Sequence, residues 1–246
     1  MKIALGQFDI AWEDKEANRK RIRSLVEETP DFAGTDWLIL PEYSLTAFTL
    51  DPAAAALTTA DLDFFAALAR DYSTAVSFGG IRDGKNGLFT WDKTGRHLTA
   101  SYKTHMFSHG HEEQVCRPGD PCPFILGGCR IAPFVCYDLR FSYLFWDRAA
   151  ATDVYVVIAN FPTERAHHWR TLLTARAIEN QAYVVGVNRV GKSPRQEYSG
   201  GSLVVSPTGE EILNCGDREG VFFAEVEKQV VEKTRASFPI LQDRKK

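Results

Sequence analysis

Short apolar runs that alternate with charged, helix-spaced segments constrain this chain more than any other feature. Trp37-Leu38-Ile39-Leu40, stopped by Pro41, and Val154-Tyr155-Val156-Val157-Ile158-Ala159 carry no charge. Such continuity marks a strand buried on both faces. Between the runs the spacing predicts helices at Lys15 to Glu28, around Ala53 to Ala56, at Asp61 to Tyr72 behind an Asp cap, and at Ala166 to Gln181. Further strands are expected at Lys2 to Phe8, Arg130 to Val135, Tyr183 to Asn188, Ser202 to Ser206 and Gly220 to Glu225. Thr74 to Phe78, Gly87 to Trp91 and His97 to Lys103 read as hairpin sheet, with Lys93-Thr94-Gly95 as one turn. Hairpins inside an α/β alternation favour a layered sandwich over a purely parallel, doubly wound sheet. No linker or repeat divides the 246 residues, so 1–246 is expected to form a single domain.

Charge and composition narrow the function. Twenty-nine basic against thirty-two acidic residues leave a formal charge of −3, with no field to concentrate a polyanion, so no nucleic-acid partner is expected. Gln7 and Asp9 interrupt the amino terminus before an apolar signal core can form. No run approaches the ~18 apolar residues of a membrane span, so no membrane partner is expected. Five cysteines, an odd number, do not suggest a secreted disulfide framework, and a cytoplasmic location follows as the expectation.

Three polar residues sit where buried strands end. Glu42 follows Leu38-Ile39-Leu40-Pro41, Lys103 follows Leu98 to Tyr102, and Cys136 follows Ile131 to Val135. Strand ends are where open α/β sheets meet ligands. A thiolate can attack a carbonyl carbon, a carboxylate can move protons, and an ammonium can stabilise an oxyanion. Each also has an ordinary reading, since a buried cysteine is usually a small hydrophobe and a strand-end Glu or Lys is usually solvated.

The surrounding words decide between these readings. Leu40-Pro41-Glu42-Tyr43, Tyr102-Lys103-Thr104-His105-Met106-Phe107 and Val135-Cys136-Tyr137-Asp138-Leu139-Arg140-Phe141, in that order, resemble the Glu, Lys and Cys signatures of the nitrilase (carbon–nitrogen hydrolase) superfamily. The likeness runs from Ile3-Ala4-Leu5-Gly6-Gln7 to Ser206-Pro207-Thr208-Gly209-Glu210. Ala159-Asn160-Phe161-Pro162 through His168-Trp169, Ala175 to Tyr183, and Asn188-Arg189-Val190-Gly191 resemble its omega-amidase branch. That branch more often has Trp where Phe161 stands and Pro where Ser142 stands, two departures that bear on specificity.

The resemblance implies a four-layer α-β-β-α sandwich without a cofactor, acting on a small-molecule amide. Cys136 would form a thioester, Glu42 would shuttle protons, and Lys103 with the backbone N–H of Tyr137 would hold the oxyanion, a contribution typically worth ~3 kcal/mol. A second Glu commonly follows the Lys, and counting back from Pro118-Gly119 favours Glu112 over Glu113. The expected reaction is hydrolysis of a small monoamide dicarboxylate such as 2-oxoglutaramate or succinamate. The alternatives are another superfamily amidase, acting on carbamoyl or deaminated-peptide amides, or a silent binding module. A homodimer is expected from superfamily habit and from the aromatic segment Phe141, Tyr143, Leu144, Phe145 and Trp146.

Other groups compete for roles. His105, His109, His111 and Glu112 are metal-ligand types, but the cysteines lack a tight C-x₂₋₄-C pair, and no metal is expected. His167 and His168 point about 100° apart on a helix, so one can face the pocket, and His168 is taken as substrate-binding with Phe161. Asp138 and Arg140 are expected to brace the turn after Cys136, and Arg176 to pair with Glu179. Of Arg140, Arg165, Arg170, Arg176 and Arg189, Arg165 is expected to grip a substrate carboxylate. Asp243-Arg244-Lys245-Lys246 reads as a solvated tail.

Overall fold

The computed structural model describes residues 1–245. Its strands are β1 (Lys2–Gln7), β2 (Trp37–Ile39), β3 (Ala75–Arg82), β4 (Lys85–Trp91), β5 (His97–Tyr102), β6 (Phe124–Leu126) and β7 (Cys129–Val135). There follow β8 (Val154–Ile158), β9 (Tyr183–Val187), β10 (Val190–Lys192), β11 (Glu197–Ser199), β12 (Leu203–Val205), β13 (Glu211–Asn214) and β14 (Gly220–Glu225). The helices are α1 (Lys15–Glu27), α2 (Pro52–Ala55), α3 (Thr59–Asp71), α4 (Ser142–Trp146), α5 (Ala166–Asn180) and α6 (Lys228–Ser237).

Two six-stranded sheets result, ordered β14-β1-β2-β3-β4-β5 and β13-β12-β9-β8-β7-β6. The central strands β1, β2 and β3 run parallel, as do β7, β8 and β9, while antiparallel neighbours finish each edge. Alternation of side chains then creates three cores. Ile3, Leu5, Trp37, Ile39 and Leu88 meet Ile131, Val135, Val156 and Val185 between the sheets. Leu38, Val76, Phe78 and Phe89 pack under Ile22 and Leu25 of α1 and Phe65 and Leu68 of α3. Phe134, Tyr155, Val157 and Val184 pack under Phe145 of α4 and Trp169, Leu173 and Ala177 of α5. Helix, sheet, sheet and helix therefore stack in the four layers that the resemblance implied.

Several details differ from the sequence expectation. Asp61 does not cap α3. Thr58 is the cap, and Asp61 sits at the third helical position, where its carboxylate accepts from the Thr58 backbone N–H while the Thr58 hydroxyl accepts from the Asp61 N–H. Strands β6, β10, β11 and β13 and helix α6 were not anticipated, because these segments are short or strongly charged and carry weak periodicity. The tail is not free to the end of the described residues, since Arg244 lies over the Trp146 ring at 3.7 Å; Lys246 lies outside them.

Candidate active site

Strand ends in both sheets deliver the site. Glu42 lies just beyond β2, Cys136 directly follows β7, Asn160 lies just beyond β8, and Lys103 follows β5. Glu42 is seated on β3 by a close approach that only glycine permits. A Cβ at Gly79 would stand 2.5 Å from the Glu42 Cα. Ser44 N–H donates to the Gly79 carbonyl, and the Gly79 N–H donates back to Ser44 Oγ.

Lys103, Glu42 and Glu112 form one buried cluster. Lys103 Nζ lies 3.1 Å from Glu42 Oε1 and 2.8 Å from Glu112 Oε2, and both carboxylates are fully buried. Glu42 Oε2 accepts the Asn160 backbone N–H at 2.9 Å, and Glu112 Oε2 accepts the Phe107 N–H at 2.7 Å. Asn86, which the sequence reading did not single out, donates to both carboxylates at 2.7 and 2.8 Å. Glu113 is exposed. Burial pulls the Lys103 ammonium toward neutrality, but Glu112 and Glu42 outweigh it and hold its pKa well above the ordinary value.

Cys136 occupies the turn after β7 at φ 48°, a left-handed conformation that costs a non-glycine residue about 1–3 kcal/mol. Tyr43, beside Glu42, and His111, beside Glu112, adopt φ 50° and 58°. Strained backbone thus accompanies all three groups. Burial, then the charge of Glu42, pushes the Cys136 thiol pKa well up, and Lys103 only partly offsets this. At neutral pH the thiol therefore keeps its proton until a base removes it. Asp138 holds the turn in place. Its carboxylate accepts the backbone N–H groups of Thr104, His105 and Val135.

A cavity of about 480 Å³ opens over this cluster. Glu42, Lys103, Cys136, Tyr137, Asn160 and Phe161 line its floor and wall, and Phe48, Phe107 and Tyr198 add aromatic surface. A cysteine, a carboxylate and an ammonium facing one cavity can carry out acyl transfer from an amide.

The carbon-nitrogen hydrolase family model matches residues 2–236. The chain belongs to that family. Omega-amidase YafV of Escherichia coli (strain K12) is 33% identical over 99% of this chain and 96% of its own length. The 2-oxoglutaramate amidase of Bacillus subtilis is 30% identical over 99% of this chain and 97% of its own. Among solved structures, XC1258 of Xanthomonas campestris, described as a CN-hydrolase superfamily protein with an arsenic adduct in the active site, superposes with a TM-score of 0.92. That match has 28% identity and covers 100% of this chain and 97% of the other. The chain is thus a hydrolase of amide C–N bonds on the omega-amidase-like branch.

Within this carbon-nitrogen hydrolase the remaining site residues divide. Phe161 and Arg165 line the cavity, and so does Arg140. His168 does not: it is exposed, and its ring Nδ1 lies 3.3 Å from the Arg140 guanidinium. Trp169 takes the inward position at the start of α5 instead, with its ring 5.2 Å from Phe161. Arg140 is more than a brace. It lies 5.5 Å over the Phe161 ring at the cavity wall. Arg170 and Arg176 are spent on Glu211 and on Glu179 with the Leu139 carbonyl, and buried Arg189 is spent on Asp9. Arg195, on the turn between β10 and β11, also lines the cavity and escaped the sequence reading because that hairpin did. His105 is held by Asp138 and Tyr143 and stacked on Phe141, whereas His109 and His111 face the cavity. Among the described residues no group of three His, Cys, Asp or Glu side chains is placed to hold a metal ion.

Proposed function

We propose that this hydrolase cleaves the terminal amide of a small monoamide dicarboxylate, such as 2-oxoglutaramate or succinamate, through a thioester on Cys136. The observation that carries the reading is Lys103 locked between Glu42 and Glu112 at the floor of a cavity that also holds Cys136 and three arginines. Glu42 takes the thiol proton as the sulfur attacks the amide carbon. The oxyanion is held by the Lys103 ammonium and the Tyr137 backbone N–H. As the intermediate collapses, Glu42 returns the proton to nitrogen and ammonia leaves. Glu42 then takes a proton from water, which attacks the thioester, and the thiol is regenerated. Glu112 fixes Lys103 from its other side. No metal enters this scheme, because the ammonium occupies the gap between the carboxylates.

The distal carboxylate of the substrate is assigned to Arg165, whose guanidinium lies 5.6 Å over the Phe107 ring, next to the segment that anchors Glu112. The cavity volume falls in the range that takes drug-sized ligands, which favours carbamoyl or deaminated-peptide amides as the second reading. All five cysteines are free, in keeping with a cytoplasmic enzyme, and a homodimer is proposed from the apolar side chains left exposed.

Ammonia release from 2-oxoglutaramate and succinamate, compared with propionamide, tests the reading. A preference for the carboxylate-bearing amides of at least about tenfold is expected from one strong hydrogen-bonded contact. Cys136→Ala abolishes turnover. Full activity in that variant sinks the mechanism, and turnover confined to larger amides transfers the assignment to the second reading.

A further inference from the structure

Asn86 is fully buried at the start of β4. Its Nδ2 donates one hydrogen bond to Glu42 Oε1 at 2.7 Å and another to Glu112 Oε1 at 2.8 Å. Its backbone carbonyl accepts the Lys103 N–H at 2.9 Å. One residue therefore contacts all three charged members of the cluster. Its own Oδ1 is buried with no hydrogen-bond partner among the described residues. A buried acceptor left unpaired is destabilising, so packing alone does not explain an amide at this position.

We propose that Asn86 is a positioning residue for the amidase reaction, clamping the two carboxylates around Lys103 and aiming Glu42 at the Cys136 thiol. The inference rests on the reading of Glu42 as the base. Two buried carboxylates share one ammonium, so the cation alone does not fill their acceptor sites. Two N–H bonds from Asn86, one to each carboxylate, fill them further and fix both side chains without a second cation. They also complete the anchoring of Glu42: Oε1 receives Asn86 and Lys103, and Oε2 receives the Asn160 N–H. The other titratable groups around Glu42 are Glu112, Cys136, Tyr43, Cys116 and Tyr198. None of these offers the pair a replacement cation.

The test needs no substrate. The rate of Cys136 alkylation by iodoacetamide is followed by mass spectrometry of the Cys136 peptide, in the wild type, Glu42→Gln, Asn86→Ala, Asn86→Leu and the double variant of Glu42→Gln with Asn86→Ala. Asn86→Leu keeps the branched heavy-atom outline, should the smaller residue leave a gap that β4 does not tolerate. In the wild type Glu42 draws the thiol proton, and Glu42→Gln slows labelling. Without the donors Glu42 is no longer held toward Cys136, so labelling slows at least about tenfold in both Asn86 variants, whereas adding Asn86→Ala to Glu42→Gln slows it no further. Turnover of succinamate falls at least about tenfold in kcat with little change in KM, while thermal midpoints remain close to wild type. Losses that add in the double variant mean that Asn86 acts independently of Glu42 and only supports the fold, and overturn the proposal. Wild-type labelling indifferent to Glu42→Gln overturns the reading of Glu42 beneath it.

Discussion

Glu112 and Glu113 are neighbours of identical chemistry with opposite surroundings. One is buried on Lys103 and Asn86, and the other faces solvent. Glu112→Gln is expected to lower kcat by at least about 100-fold, since it strips Lys103 of a charged partner and leaves buried donors mismatched. Glu113→Gln is expected to stay within twofold, and steady-state ammonia release from both variants checks the contrast. Arg165 carries a different prediction. Arg165→Lys keeps the charge but loses the planar fork, so KM for succinamate is expected to rise at least about tenfold while propionamide turnover is spared. Equal effects on both amides would move the carboxylate contact to Arg140 or Arg195. Those two guanidiniums share the cavity wall and have no carboxylate partner among the described residues, whereas Arg165 already pairs with Glu164.

Between elements, closeness of backbone matters as much as chemistry. Adding one methyl group at Gly79 would drive β3 into the Glu42 backbone. Gly79→Ala is therefore expected to cost activity out of proportion to stability, because the segment that must shift carries Glu42. Leu173→Ala is the converse. Leu173 is fully buried between α5 and the second sheet and does not line the cavity. Its truncation is expected to cost about 2–5 kcal/mol in unfolding while leaving KM unchanged. Denaturant titration paired with kinetics on the two variants separates these effects.

The molecule as a whole carries its acid sensitivity in a few buried carboxylates. Burial alone would raise the Asp153 pKa, but hydrogen bonds from Arg130 outweigh it and hold it below its ordinary 3.8. For Asp61 burial likewise raises the pKa, but hydrogen bonds from Lys15 and Thr58 outweigh it and lower it. Folded pKa values below the unfolded ones mean that this stability is full above about pH 3.8 and is lost as pH falls through the folded values. Urea midpoints measured from pH 6 to pH 2.5 are expected to drop at the acid end, and less steeply in Asp153→Asn. Association is the other whole-molecule property. Tyr143 and Ile178 are each 50% exposed and Phe238 is 67% exposed, an apolar display larger than the helices need for their own packing. Light scattering is expected to report a dimer at micromolar concentration, and a clean monomer would contradict it.

Apolar continuity identified the central strands β2 and β8, and helical spacing identified α1 and α5, because burial on both faces of a strand, or one face of a helix, is written in local sequence pattern. The words around Glu42, Lys103, Cys136 and Glu112 marked them as site residues through their likeness to a family. What local order could not carry was distance. Asn86 lies more than forty positions from Glu42 and twenty-six from Glu112, and only the β3–β4 hairpin brings its amide to both. Arg195 reaches the cavity on a hairpin too short and polar to be read. His168 and Trp169 differ by one position, and the docking of α5 on its sheet chose which of them turns inward. Sequence determined which segments are buried and which residues have the chemistry. Tertiary structure decided which polar groups share a buried space, because hydrogen bonds across the sandwich depend on how its layers meet and not on neighbours along the chain.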